Sequence, residues 1–321
     1  MRKTLLGLCK GLTIMAALVP LGAIAFPDKP IRMVVPYSAG GGADNTARIV
    51  AQKMGEILGQ TIVIDNKPGA GGVIGADAVA KAAPDGYTVL YDASAFAVNG
   101  ALRKLPFDPL GDFIPVSLVV TAPQILVVAA KAPYKTVADF IASAKKTPGK
   151  LTYASAGAGT GSHLAAEMFN EQAKIELLHI PYKGGAPALT DVMGGQVATY
   201  FGNSASTLQY VASGKLKALA VTSRKRIPGL PNTPTLAESG MPDYEVLEWN
   251  GVFVPKGTAQ DRVQAIAAAV QKAVADPGVR AKLQHTGVDP VGNAPEAFKR
   301  FVQAESLRWH ALVKARGIRV E

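Results

Sequence analysis

A chain of 321 residues with 48% hydrophobic and 18% charged residues has enough apolar material for two domains with real cores, which excludes intrinsic disorder. Its 34 lysines and arginines against 24 acids give a formal net charge of +10, but the surplus is spread along the sequence. The densest run, "SRKRIPGLP" at 223–231, contains no aromatic residue and no nucleic-acid motif, so it reads as a solvated loop and no nucleic-acid partner is expected.

The first 25 residues, "MRKTLLGLCKGLTIMAALVPLGAIA", join a basic start to an apolar middle and small residues at Ala23 and Ala25. This is the pattern of a secretory signal peptide cut before Phe26. Leu8 is too large for the position before a lipidated cysteine, so Cys9 does not read as a lipoprotein anchor. Cleavage removes Arg2, Lys3 and Lys10 and no acid, which lowers the net charge from +10 to about +7. It also removes the only cysteine, leaving neither a disulfide nor a thiol nucleophile. No later stretch reaches the roughly 18 to 20 apolar residues of a membrane span. The mature chain is expected in a bacterial periplasm, not itself membrane-spanning.

Short β-branched runs then alternate with helical periods, the signature of parallel α/β architecture. Residues 31–35 read as a strand, 44–58 as a helix closed by Gly59, and 61–64 as the next strand. The loop "NKPGAGGVIG", a helix over about 76–82, the turn "PDG" at 84–86 and the strand "YTVLYD" from Tyr87 complete a β-α-β-α-β unit.

The second half repeats this plan. "LTYASAGAGTGSHLAAEMF" at 151–169 answers "MVVPYSAGGGADNTARIV" at 33–50, each a strand, a glycine-rich loop and a helix. Aligning Val35 with Tyr153, Ile64 with Ile180 and Tyr91 with Phe201 gives offsets of 118, 116 and 110 residues. Two α/β lobes of similar design follow. Two long β-type runs interrupted by proline or glycine, 116–130 and 244–255, are the natural crossings between them. Lobe 1 is therefore expected over 26–121 plus 249–321 and lobe 2 over 122–248. The remaining helical periods after 257 are expected to pack on lobe 1, with Trp309 in the core. Trp249 reads as a core or hinge residue.

In open parallel sheets, ligands sit beyond the carboxyl ends of the strands, where loops lead into helix N-termini. Such a terminus offers unpaired N–H groups and about half a positive charge, which suits a carboxylate or phosphate oxygen. Glycines 40–42 let the backbone approach a ligand, and "GAGTGS" at 157–162 shares the property. Ser38, Thr160 and Ser162 add hydroxyls. Asp44 reads either as a helix cap or as a contact to a ligand hydroxyl or amine.

Other chemistries fail on spacing. A dinucleotide fingerprint needs glycines at i, i+2 and i+5, and Asn45, Ile74 and Ser162 occupy the third position of the three possible frames. No P-loop occurs. "YASAG" around Ser155 has Tyr153 where a nucleophile elbow requires glycine. The four histidines, His163, His179, His285 and His310, lie in separate segments without metal-ligand spacing. No cofactor and no metal are expected.

The motifs "KPIRMVVPYSAGGGADNTAR", "IDNKPGAGGVIGADAVAKAAPDGYT", "LTYASAGAGTGSHLAAEMF", "HIPYKGGAPALTDVMGGQV", "GKLKALAVTSRKR" and "PTLAESGMPDYE" resemble the substrate-binding proteins of tripartite tricarboxylate transporters, the Bug-type receptors, in family order across nearly all of 27–316. The resemblance implies a two-lobed periplasmic binding protein, each lobe a mostly parallel sheet flanked by helices. It further implies a monomer that closes on a small carboxylate, aliphatic or aromatic, and presents it to membrane permease subunits. The family grip, one carboxylate held by backbone and hydroxyls of two loops and often by ordered waters, falls here on Tyr37, Ser38, Ala39, Gly40, Gly41 and Gly42 and on Ala156, Gly157, Thr160, Gly161 and Ser162. The more variable far end falls on Asp44, Ala70, Ser94 and Asn203. Many relatives carry an acid where this chain has Gly202, a departure that points to a less cationic or more anionic ligand end. Two other readings stand beside the receptor: a secreted hydrolase or transferase using Ser155 or Asp44 with His163, and a carboxylate sensor in signalling.

Overall fold

The computed structural model describes residues 26–316, so the expected signal peptide lies outside the described residues. From Ile31 the chain forms β1 (Ile31–Val35), α1 (Gly42–Leu58), β2 (Ile62–Asn66), a 3-10 turn (Ala70–Gly72), α2 (Val73–Ala80), β3 (Thr88–Ala93) and α3 (Ala95–Leu102). The long strand β4 (Phe113–Ala129) leads to α4 (Val137–Lys146), β5 (Thr152–Ser155), α5 (Gly161–Ala173), β6 (Leu178–Pro181), α6 (Gly185–Met193), β7 (Thr199–Asn203), α7 (Ser204–Ala212) and β8 (Leu216–Val221). The return strand β9 (Leu247–Pro255) is followed by α8 (Gln260–Ala275), α9 (Pro277–His285), β10 (Asp289–Pro290) and α10 (Pro295–Arg316).

Local chemistry sets several ends. Gly59 closes α1 with a left-handed φ of 68° and donates to Gly55 O. Thr136 and Asp139 cap α4 reciprocally, and Asp276 caps α9, with Pro277 in its first turn. Helix α2 starts at 73 rather than 76 because it follows directly from the glycine turn. Strand β9 starts at 247 rather than 244, since Tyr244 is turned inward and donates its hydroxyl to Ala165 O.

The strands form one mixed sheet in the order β2-β1-β3-β9-β4-β7-β5-β6, with β10 and β8 also paired to β4. The repeat seen in sequence is visible in this order. Strands β2-β1-β3 are parallel, as are β6-β5-β7, and each set is continued by an antiparallel strand from the crossings, β9 beside β3 and β4 beside β7. Strand β4 belongs to both halves: residues up to Pro123 pair with β9 and residues from Gln124 pair with β7. Register shifts at Pro115/Ser117, Leu118/Val120 and Leu126/Val127 mark bulges that twist it.

Helices α1 and α8 cover one face of the first half through Val50, Met54, Val263, Ile266 and Val270. Phe96 and Ala97 of α3 with Phe298 and Val302 of α10 cover the other. The C-terminal helices thus pack mainly on the first half, and Trp309 is buried between Val98 of α3 and Leu164 of α5 in the second. Trp249 packs edge-on against Phe298 and Phe301. Among the described residues no helix is long and apolar enough to cross a membrane.

Candidate functional site

A helix start leaves its first N–H groups without intrahelical acceptors, and a side-chain oxygen usually takes one of them. Of the helices that follow parallel strands here, only α7 has such a cap, Asn203 Oδ1 accepting from Ala205 N at 3.0 Å. Helices α1, α2, α3, α5 and α6 start without one. Three of those starts, at Gly42, Thr160 and Gly185, border a single cavity between the halves of the sheet. Several backbone donors and the positive ends of three helices therefore face the same small volume, an arrangement suited to anionic oxygens.

Of the residues expected from the sequence, Tyr37, Gly41, Gly42, Ala156, Thr160 and Asn203 line this cavity. Its remaining walls are Ala43, Ala93, Gly185, Tyr200 and Glu248, none of which the sequence reading singled out. Gly185 carried a usable signal, because "YKGGAPAL" has the same strand, glycine, helix-start pattern as the two loops that were recognised. Glu248 carried one too, an acid inside the apolar run of a crossing strand.

The cavity measures about 30 Å³, well under the ~300 Å³ at which ligand clefts begin, because the two halves are shut on each other. Gly71 and Gly157 meet so closely that an added Cβ on Gly71 would lie 2.5 Å from Ala158 O. One on Gly184 would lie 2.2 Å from Ser38 Oγ, and one on Gly42 2.3 Å from Asn203 Cγ. Arg103 ties the rim, donating to Ala70 O at 3.3 Å and across to Ala158 O at 2.9 Å. Asn45 Nδ2 donates to Ala205 O at 3.1 Å on the opposite side. Larger depressions lie elsewhere: one of about 220 Å³ lies between α3 and α10, and two, of about 630 and 640 Å³, adjoin the C-terminal ends of α1 and α9, where helix dipoles repel anions. The second includes Arg224 and Arg226 of the basic run, which are exposed and ion-paired with Glu245 and Glu238.

The other expected residues support the walls. Asp44 does not reach the cavity: its carboxylate accepts from Gly40 N at 2.8 Å, Arg48 Nε at 2.9 Å and Asn66 Nδ2 at 2.9 Å. Burial works to raise its pKa, but the bonds from Arg48, Gly40 and Asn66 outweigh that and hold it below the usual range. In this closed arrangement it braces the loop. Ser162 accepts from Ala156 N at 2.9 Å and lies 3.0 Å from Thr160 Oγ1, fixing the second loop, while Gly161 opens α5 and Gly157 adopts a φ of 136°. Ala39 and Gly40 are exposed, and Ala70 sits at the rim with a left-handed φ of 49°. Ser94 does not line the cavity but donates to Glu248, which does.

Ser155 and His163 are not paired. Ser155 Oγ accepts from Gly157 N at 3.2 Å and lies 2.6 Å from His179 Nε2, while His163 Nδ1 accepts from Gly159 N at 3.1 Å. The two imidazoles stack at 4.3 Å. Burial lowers the His163 pKa to about 3 and that of His179 to about 4, so both stay neutral and are weak bases at physiological pH. Their common task is to hold the backbone of the 156–160 loop.

Charge in the cavity is unbalanced. Tyr37 donates to Asp92 Oδ1 at 2.9 Å, and burial pushes the Asp92 and Glu248 carboxyls up to about 7. Among the described residues no cluster of His, Cys, Asp and Glu could hold a metal.

Comparison with known proteins agrees with this architecture. The family described as "Tripartite tricarboxylate transporter family receptor" matches residues 46–318. The BugT protein of Bordetella pertussis is 36% identical over 305 residues, covering 94% of each chain. The periplasmic binding protein BugD is 39% identical with a TM-score of 0.89, covering 92% of this chain and all of its own. A Rhodopseudomonas palustris protein solved with adipate is 35% identical with a TM-score of 0.88, covering 92% of this chain and 99% of its own. The fold is that of the periplasmic binding proteins, and the chain belongs to the tripartite tricarboxylate transporter receptor family, a family of solute-binding receptors and not of enzymes.

Proposed function

We propose that this protein is a periplasmic receptor that closes on a small mono- or dicarboxylate between its two halves and delivers it to the membrane permease subunits of a tripartite tricarboxylate-type transporter. The observation that carries the reading is the convergence of uncapped helix starts at Gly42, Thr160 and Gly185 on one cavity. A carboxylate there would accept the N–H bonds that no side chain of the chain takes. The adipate-bound relative supports the ligand class. Opening would occur about β4 and β9, with lobes of 26–121 plus 249–321 and 122–248, in a monomer freed of residues 1–25.

Ligand that binds only the folded chain stabilises it by about 2.7 kcal/mol at a hundredfold excess over Kd. A thermal-shift screen of aliphatic and aromatic carboxylates on the mature chain should therefore give raised melting temperatures for a small subset. Flat curves across the panel would sink the proposal.

A further inference from the structure

The lining of the cleft is not electropositive throughout. Glu248 enters it from β9, at the point where the two halves meet. Its Oε1 accepts from Ser94 Oγ at 3.3 Å and its Oε2 from Gln124 Nε2 at 3.4 Å, both long for bonds to a carboxylate. An added Cβ on Gly161 would lie 2.8 Å from Oε2, so the carboxylate rests over the start of α5. Among the described residues no lysine, arginine or histidine forms an ion pair with it. Gln124 is fully buried and spends its amide NH2 on Glu248, which leaves its own Oε1 without any partner. The opposite amide orientation would set that oxygen against the carboxylate. Glu248 and Gln124 together thus present under-used acceptors beside a cavity whose other walls are rich in backbone donors.

Resting on the carboxylate-receptor reading of the cleft, we propose that Glu248, backed by Gln124, reads the ligand end away from the paired starts of α1 and α6 and selects a hydrogen-bond donor there, a hydroxyl or an ammonium group rather than a second ionised carboxylate. A buried acceptor left unmade disfavours a ligand that cannot donate, and a second carboxylate next to an ionised Glu248 adds like-charge repulsion. The acid absent at Gly202 is in this way supplied from a different strand, contrary to the sequence expectation of a ligand end meeting no carboxylate.

The test is calorimetric titration of the mature chain at pH 8, where Glu248 is ionised. For each chain length from three to six carbons, the probes are the unsubstituted acid, the ω-hydroxy acid, the ω-amino acid and the diacid. At the length that fits, the hydroxy or amino acid should bind at least tenfold more tightly than the plain acid and the diacid. Glu248→Gln should shrink that preference to threefold or less. A diacid or plain acid that binds tightest to the natural chain overturns the proposal even if Glu248→Gln fails to fold, and so does an unchanged ranking in a folded Glu248→Gln. No heat from any probe overturns this proposal, and the carboxylate reading falls with it only if the thermal screen of aliphatic and aromatic carboxylates is flat as well.

Discussion

Replacing Gly42 by alanine separates the cost of closing the cleft from the cost of folding. Gly42 is the first residue of α1, and at helical positions alanine is favoured over glycine by up to about 1 kcal/mol, so the local effect on the fold is neutral or favourable. Across the cleft the added Cβ would lie 2.3 Å from Asn203 Cγ, 2.5 Å from Oδ1 and 2.6 Å from Cβ. Carbon atoms need roughly 3.5 Å, so Asn203 would have to retreat by more than about 1 Å. Its Oδ1 caps α7, and Asn203 is only 7% exposed, which leaves it little room. Overpacking of this kind costs about 1–3 kcal/mol, and loss of the cap adds about 1 kcal/mol. Because the clash exists only when the halves meet, the whole of it should appear as weakened binding, a factor of roughly 30 to 1,000 at 1.4 kcal/mol per decade. Titration of the best carboxylate from the thermal screen, together with urea unfolding of the ligand-free variant, reads both quantities. Binding within threefold of the natural chain, accompanied by a loss of several kcal/mol in unfolding, would show that the two halves never part and would refute the reasoning.

Three further outcomes are expected. Arg103→Met removes the donor that joins Ala70 O to Ala158 O and should speed ligand release about five- to tenfold with little change in association; stopped-flow displacement that finds the same release rate would deny the tie any role in retention. Ser155→Ala, which deletes the bonds to Gly157 N and His179, should lower stability by about 1–2 kcal/mol in urea; a hydrolytic activity present in the natural chain and lost in this variant would contradict the receptor assignment. Asp92 and Glu248, whose carboxyls burial raises to about 7, hold protons in the folded chain that they release when it unfolds. Their contribution to stability is full below about pH 4 and is lost as pH rises through about 7. Burial of neutral His163 and His179, with pKa values of about 3 and about 4, works the other way and adds stability as pH rises through 6.5. Glu248→Gln therefore serves as the reference: from pH 5 to 7.5 the natural chain should lose stability relative to that variant in ligand-free unfolding, and a difference that stays constant with pH would contradict the burial of Glu248.

How much of this was legible in the sequence depended on range. The strands β1, β2 and β3, the closure of α1 at Gly59 and the repeat in the second half follow from periodicity and glycine placement, which are local signals. The two crossings were recognisable as long β-type runs, but not that β4 alone would pair on both sides of the hinge, because pairing is a non-local choice. The mixed character of the sheet comes from the same source. At the site, Gly41, Gly42 and Thr160 announced themselves as helix starts behind glycine loops. Asp44 could be read two ways, since its distance from Gly40 and Asn66 is set by how the loop folds back. Ser155 and His163 lie eight residues apart in sequence, yet the serine meets His179 from the neighbouring strand β6, a partner that only sheet register could supply. Tyr200 reaches the cavity from β7 and Glu248 from the crossing strand β9, and no spacing rule connects them.

The missing caps on α1, α5 and α6 also bear on how this chain responds to selection. An oxygen-bearing side chain at Gly41, whose φ of −74° any residue adopts, would occupy donors that now stand open, and over glycine such a cap is worth about a few tenths of a kcal/mol. Gly184, at a φ of 145° and with Ser38 Oγ 2.2 Å from an added Cβ, admits no side chain. A laboratory search that rewards heat resistance alone would thus be drawn to Gly41. Every success there would plug the grip with the protein's own atoms, and the hardiest descendants would be deaf to their cargo.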